Sequence, residues 1–169
     1  MQTKISTIYL FLLLLFAACQ TDNTKASEPT EDRLERRDLI GIWEQTSLKV
    51  TFNQTMGIPD SQRVFEVQEE NWEETLSVKP VRSYFLADST YRQDFIALNG
   101  DVYDSQRGLW NLIGDTLMLI SPNASYTYEI TVEANGTSRY VGILDWDGDG
   151  LEDDEYRATQ RLVSRNTEL

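Results

Sequence analysis

The densest run of metal-ligand side chains in this chain is Asp145-Trp146-Asp147-Gly148-Asp149-Gly150-Leu151-Glu152-Asp153. Alternate carboxylates followed by a glycine suit a hard cation: calcium takes six to eight oxygens, and the glycine permits the sharp turn that swings later donors round. Asp145, Asp147 and Asp149 would supply carboxylates, Leu151 its backbone carbonyl and Asp153 a closing carboxylate. Short acidic Asp-Gly runs also arise as solvated hairpin tips, so a structural Ca2+ ion and a bare acidic turn both fit these residues. Asp154 and Glu155 add negative charge that repels its neighbours unless a cation or water screens it. The second reactive group is Cys19, the single cysteine of the chain. It follows Phe16-Ala17-Ala18 at the end of an uncharged apolar run, Ile5 to Phe16, behind Lys4. That is the layout of a secretory leader cut before a cysteine. The run is shorter than the ~20 residues that span a bilayer. The Cys19 sulfur would then carry a covalent lipid such as diacylglycerol, each buried methylene contributing roughly 0.8 kcal/mol to membrane anchoring.

What the chain lacks narrows the chemistry further. It has no histidine, hence no ordinary neutral-pH general base and none of the commonest metal ligand. An acylated Cys19 cannot serve as a nucleophile, so Ser-His-Asp, Cys-His and zinc chemistry are excluded. With 15 Lys+Arg against 28 Asp+Glu, the net charge of −13 repels phosphate backbones and argues against nucleic acid as a partner. The remaining enzymatic option is carboxylate work by a positioned Asp/Glu pair. Glu69, Glu70, Glu73 and Glu74 read more simply as a solvated charged face, and the expectation is no enzyme.

These groups must be positioned by a single domain. Residues 1–18 read as a lipoprotein signal peptide and 19–29 as a polar tether without large apolar side chains. Residues 30–165 form the folded domain. Pro29 to Leu39 suits a short N-terminal helix that caps one end of the β structure after it, with Thr30 and Asp32 near its start and Arg36-Arg37 near its end. From Leu39 on, short β-branched and aromatic runs alternate with turn residues about every ten positions, which is an antiparallel all-β pattern. Tyr126 to Val132 alternates most cleanly, and Asn135-Gly136 after it predicts a type I′ hairpin into Ser138 to Leu144. Further strands are expected at Gly41 to Asn53, Gln62 to Val67, Thr75 to Lys79, Val81 to Leu86, Tyr91 to Ala97, Arg107 to Ile113, Leu117 to Ser121 and Tyr156 to Val163. Eight or nine strands leave two open edges unless the sheet closes into a barrel or folds into a sandwich.

Three segments resemble the lipocalin-like domains of Gram-negative envelope lipoproteins: Leu39-Ile40-Gly41-Ile42-Trp43, Tyr84 to Tyr91, and Gly108 to Leu119. The resemblance implies an up-and-down antiparallel barrel of about eight to nine strands, with Trp43 packed across one end as a plug. The chain departs from secreted lipocalins in lacking their paired cysteines and in carrying Gly57 to Trp72, which looks like an insertion near one rim. The acidic run is not a complete EF-hand, since Tyr156 stands at the twelfth position where a bidentate glutamate belongs. Its nine-residue form between strands resembles the calcium loops of integrin-type and thrombospondin-type repeats. Gln20 after the lipidated cysteine, in place of the aspartate that retains lipoproteins at the inner membrane, resembles an outer-membrane sorting signal.

Two functions are therefore expected. In one, the barrel is a membrane-anchored binding module for a small amphipathic ligand or an envelope partner. In the other, a solid core filled by Tyr84, Tyr91, Phe95, Trp110, Tyr126, Tyr128 and Tyr140 leaves the 57–72 rim insertion to make contacts. A cavity of ~300 Å³ or more would favour the first.

Overall fold

The computed structural model describes residues 33–53 and 63–167. Cys19, the leader and the tether lie outside the described residues. The order is α1 (Arg36–Leu39), β1 (Gly41–Phe52), β2 (Arg63–Gln68), a 3-10 turn (Glu69–Asn71), α2 (Trp72–Leu76), β3 (Arg82–Phe85), β4 (Thr90–Ile96), β5 (Val102–Ile113), β6 (Thr116–Ile120), β7 (Ser125–Val132), β8 (Thr137–Leu144) and β9 (Asp154–Ser164). Every neighbouring pair is antiparallel, and β9 pairs back onto β1 from Ile42↔Ser164 to Thr51↔Glu155. That pairing closes an eight-stranded barrel and removes the sheet edges an open meander would expose. The barrel and its core fall within one compact unit, Asp32–Leu169.

The strand outside the closed ring, β2, shares one edge of β1 with β3. Residues Gly41 to Glu44 of β1 pair with β3, while Ser47 to Phe52 pair with β2. One wall position is thus filled by two short strands, and the chain between them leaves the wall. The expected strand at Thr75 to Lys79 is instead α2 followed by a single bridge, Val78↔Ala97. Trp72 and Leu76 are spaced one helical turn apart and both pack into a core cluster, which rewards helix over strand. Ser77 ends the helix at φ 56. Of the Gly57 to Trp72 segment expected as a rim insertion, residues 57–62 lie outside the described ones, and Arg63–Gln68 is barrel wall.

At the closed end, Trp43 is fully buried and donates its indole N–H to the Leu39 carbonyl at 2.7 Å. Helix α1 is shorter than the expected Pro29 to Leu39, covering only Arg36–Leu39 among the described residues. Arg36 reaches down rather than out, its guanidinium 4.1 Å from the Trp110 ring centroid and bonded to Ser89 and Asn111. Arg165 donates to the carbonyls of Asp38 and Ile40, satisfying the helix's C-terminal acceptors. The short helix therefore serves as the expected end cap.

Inward side chains form two clusters. One, around Trp43, Phe85, Tyr91, Trp110, Leu117, Ile130 and Tyr140, fills the closed half. The other, Leu48, Val50, Phe52, Val67 and Trp72, lies against the β1–β2 wall. Tyr84 does not point in as expected: it pairs with Arg92, whose guanidinium sits 4.1 Å above its ring, and alternation gives the inward place to Phe85. Gly108 is required by crowding, because a Cβ there would lie 2.0 Å from the Ile120 carbonyl oxygen. The β7–β8 connection also differs from expectation. Glu133 N–H bonds Thr137 O and Gly136 N–H bonds Glu133 O, so the loop has three residues, with Gly136 alone at positive φ (82°). A three-residue loop with glycine in the left-handed region relieves Asn135 of the strained conformation that a type I′ turn demands.

Candidate functional site

Strand directions place the connections β4–β5, β6–β7 and β8–β9 at the end opposite Trp43. There the barrel is hollow. A cavity of about 450 Å³ is bounded by Leu48, Phe65, Phe95, Tyr126, Tyr128, Leu144 and Tyr156 from the strands, by Trp72, Leu76, Val78 and Val81 from the excursion between β2 and β3, and by Asp145 and Trp146 from the acidic loop. Trp72 is only 2 % exposed, and it closes the gap left where β2 ends and β3 has not begun. Three glutamines, Gln45, Gln93 and Gln106, complete the lining. Of the aromatics expected inside, Tyr91, Trp110 and Tyr140 belong to the solid half, while Phe95, Tyr126 and Tyr128 face the cavity.

The aromatic wall is continuous with the loop. Trp146 packs on Tyr156 at 5.5 Å between ring centroids, Tyr156 on Tyr128 at 5.5 Å, and Tyr128 edge-on to Tyr140 at 5.8 Å. Burial pushes the hydroxyls of Tyr128, Tyr140 and Tyr156 well above the ordinary tyrosine pKa. The wall therefore stays neutral across the physiological range.

In the acidic loop, carboxylate oxygens of Asp145, Asp147 and Asp149 lie within 4.8 Å of one another, and this cluster can hold a metal ion. The backbone turns around its own carboxylates: Gly150 N–H donates to Asp145 at 3.1 Å, Asp149 N–H to Asp147 at 3.2 Å and Leu151 N–H to Asp149 at 2.8 Å. Gly148 and Gly150 take positive φ, 77° and 92°. Asp153 does not join the carboxylate cluster. Its backbone carbonyl accepts a hydrogen bond from the Asn53 side chain, and its carboxyl is pushed above the usual range by desolvation and then by Asp149, Asp154, Asp147 and Asp145. Leu151 is exposed at the loop's outer edge.

Sequence reasoning missed Asp154 as the loop's anchor. It is 1 % exposed, and its Oδ2 accepts the N–H groups of Trp146 at 2.8 Å and Asp147 at 3.2 Å. The signal is alternation: Asp154 shares the inward parity of Tyr156, Ala158 and Gln160, but a strand begun at Tyr156 leaves it in the loop.

The glutamates Glu69, Glu70, Glu73 and Glu74 border a different concavity of about 680 Å³ on the outer surface, together with Lys79 and Arg82. All four are solvent-exposed. Glu69 is bound to Arg161, which also holds Glu44 and so ties the excursion to β1 and β9.

Fold and site together define a closed, up-and-down antiparallel eight-stranded β-barrel with one added strand, consistent with a lipocalin-like barrel, hollow at one end and plugged by tryptophan at the other. No family model and no curated protein matches the chain.

Proposed function

We propose that this protein is a binding module: a barrel that takes a small, largely apolar ligand into its open end while tethered to the cell envelope through lipid on Cys19. The observation that carries this reading is the 450 Å³ cavity, lined mainly by aliphatic and aromatic side chains and framed by rigid strands. A cavity of that size falls within the range that buries small molecules and weighs against a solid core acting only through its surface. No catalytic role is assigned. The four exposed glutamates border the outer-surface concavity and do not line the cavity, and the chain has no histidine.

Native mass spectrometry of the protein purified from its own envelope tests the reading. A retained small-molecule mass on top of the lipidated chain is expected; a bare chain that also fails to bind apolar probes in titration overturns it. Anchoring through Cys19 is checked by fractionation of cells carrying Cys19→Ser, which should release the protein from membranes; placement at the outer membrane rests on Gln20 behind Cys19 and is checked by separating the inner and outer membranes of wild-type cells.

The acidic loop adds a structural Ca2+ ion to the proposal. Its donor set is hard oxygen throughout, and the buried Oδ1 of neighbouring Asp154 has no hydrogen-bond partner among the described residues. A cation at Asp145, Asp147 and Asp149 would lift carboxylate repulsion and brace Trp146 against the cavity mouth. Ca2+ at a hundredfold excess over its Kd would add about 2.7 kcal/mol to stability by mass action. Excess EGTA should therefore lower the Tm of the calcium-loaded protein, and an unchanged melting curve removes the ion from the account.

A further inference from the structure

The cavity floor differs in chemistry from its walls. On β1 the lining residues are Gln45 and then Leu48 nearer the mouth; on β4 they are Gln93 and then Phe95 nearer the mouth. Gln106 stands directly beside Gln93 in the β4–β5 register. The three amides therefore lie at the deep end, below the apolar collar. Each already spends its nitrogen: Gln93 donates to Ser83 at 3.2 Å, Gln106 to Ser121 at 3.4 Å and Gln45 to the Tyr156 hydroxyl at 3.4 Å. Among the described residues, none of the three amide oxygens has a partner, and the Tyr156 hydroxyl receives a bond without giving one. Exchanging amide N and O in the assignment still leaves one polar end of each amide unpaired.

Formal charge is missing from this floor. Among the described residues no lysine or arginine lines the cavity, and the one carboxylate that does, Asp145, is at the mouth. Burying an anion or cation without a partner costs several kcal/mol, whereas a neutral donor or acceptor set against an unpaired amide recovers a hydrogen bond.

Resting on the binding reading above, we infer that the cavity selects an uncharged guest with an apolar body and one hydrogen-bonding head, and that the head enters first to meet Gln45, Gln93 and Gln106. Fatty-acid anions are disfavoured because nothing at the floor neutralises them. Cationic amphiphiles are disfavoured in the head-first pose for the same reason, and only a reversed pose would bring their charge to Asp145.

Three probes of equal chain length separate these outcomes by isothermal titration against the Asp32–Leu169 segment, which contains the barrel and both core clusters. They are decanamide, decanoate and decyltrimethylammonium, used at about pH 8, where the carboxylate is ionised and the amide neutral. Decanamide should bind at least about tenfold more tightly than either ion. Decanoate binding as tightly as decanamide would overturn the neutral-guest inference while leaving the binding reading standing, and so would tightest binding by the ammonium probe. If none of the three binds, the binding reading itself falls and takes the inference with it. A Gln93→Leu, Gln106→Leu double variant should lose the amide's advantage while keeping decane binding; an unchanged preference also overturns the inference. The wild-type probe series decides the matter alone if the variant does not fold.

Discussion

Replacing Asp154 tests whether one buried carboxylate organises the loop at the cavity mouth. Its Oδ2 accepts two backbone N–H groups, from Trp146 and Asp147. Hydrogen bonds to a charged acceptor contribute about 1.5 to 3 kcal/mol each. Two terms reduce that gross figure in Asp154→Ala. Trp146 and Asp147 are exposed residues, so water can reach their amides once the carboxylate is gone. Removing a carboxylate with one unpaired buried oxygen also relieves desolvation. The balance is a loss of about 2 kcal/mol, which for a domain of this size is a fall in Tm of roughly 8 °C. Asp154→Asn keeps a carbonyl oxygen that can still accept from both amides, so it should lose less than about 1 kcal/mol. Circular-dichroism melts of wild type and both variants, with EGTA present to remove any contribution from bound cation, provide the comparison. Equal losses in the two variants would show that charge, not acceptor geometry, holds the loop; no loss in either would refute the anchoring role altogether.

Two further outcomes are expected of the barrel. Gly108→Ala sets a methyl group 2.0 Å from the Ile120 carbonyl oxygen, so β5 and β6 must separate; urea unfolding should show a loss of about 3 kcal/mol or more, and a loss under about 1 kcal/mol would mean the strands give easily. For Tyr128, Tyr140 and Tyr156, burial raises the folded-state pKa above the unfolded value near 10, so their contribution is fully present below about pH 10 and drains away as pH rises beyond it. Tyrosinate absorbance should therefore appear for these three only with alkaline unfolding, and early ionisation with the fold intact would contradict their burial.

The barrel is legible in the sequence because its strands alternate. Tyr126 to Val132 and Tyr156 to Val163 carry period-two patterns that survive in the structure as inward and outward faces, differing from the expected bounds by one or two residues. Closure is legible only as a way of disposing of edges; the pairing of β1 with β9 joins residues at opposite ends of the domain and leaves no local mark. The stretch Thr75 to Lys79 shows where local pattern fails. Thr75-Leu76-Ser77-Val78 has β-type residues, yet the indole of Trp72 and the side chain of Leu76 must cover a hole in the wall, and a helical turn is the geometry that brings both to it.

The same limit explains why the cavity is invisible in the sequence while its components are not. The aromatics expected to fill the barrel are apolar and mostly inward, but whether such side chains meet or leave space depends on strand register. The shift between Gln45 and Ser47 on β1 is what separates the two core clusters: before it Trp43 and Gln45 face in, after it Leu48, Val50 and Phe52 do. A bulge that re-aims side chains in this way opens volume without changing composition. The acidic loop is the converse case, since the spacing of Asp145, Asp147 and Asp149 is local chemistry that the sequence displays directly. Its relation to the cavity, through Trp146 on Tyr156 and the Asp154 carboxylate on the Trp146 N–H, is tertiary. A metal at that loop and a guest in that cavity would consequently share the Trp146 wall, so calcium removal should weaken guest binding as well as lower the Tm; guest affinity unchanged by EGTA would separate the two sites.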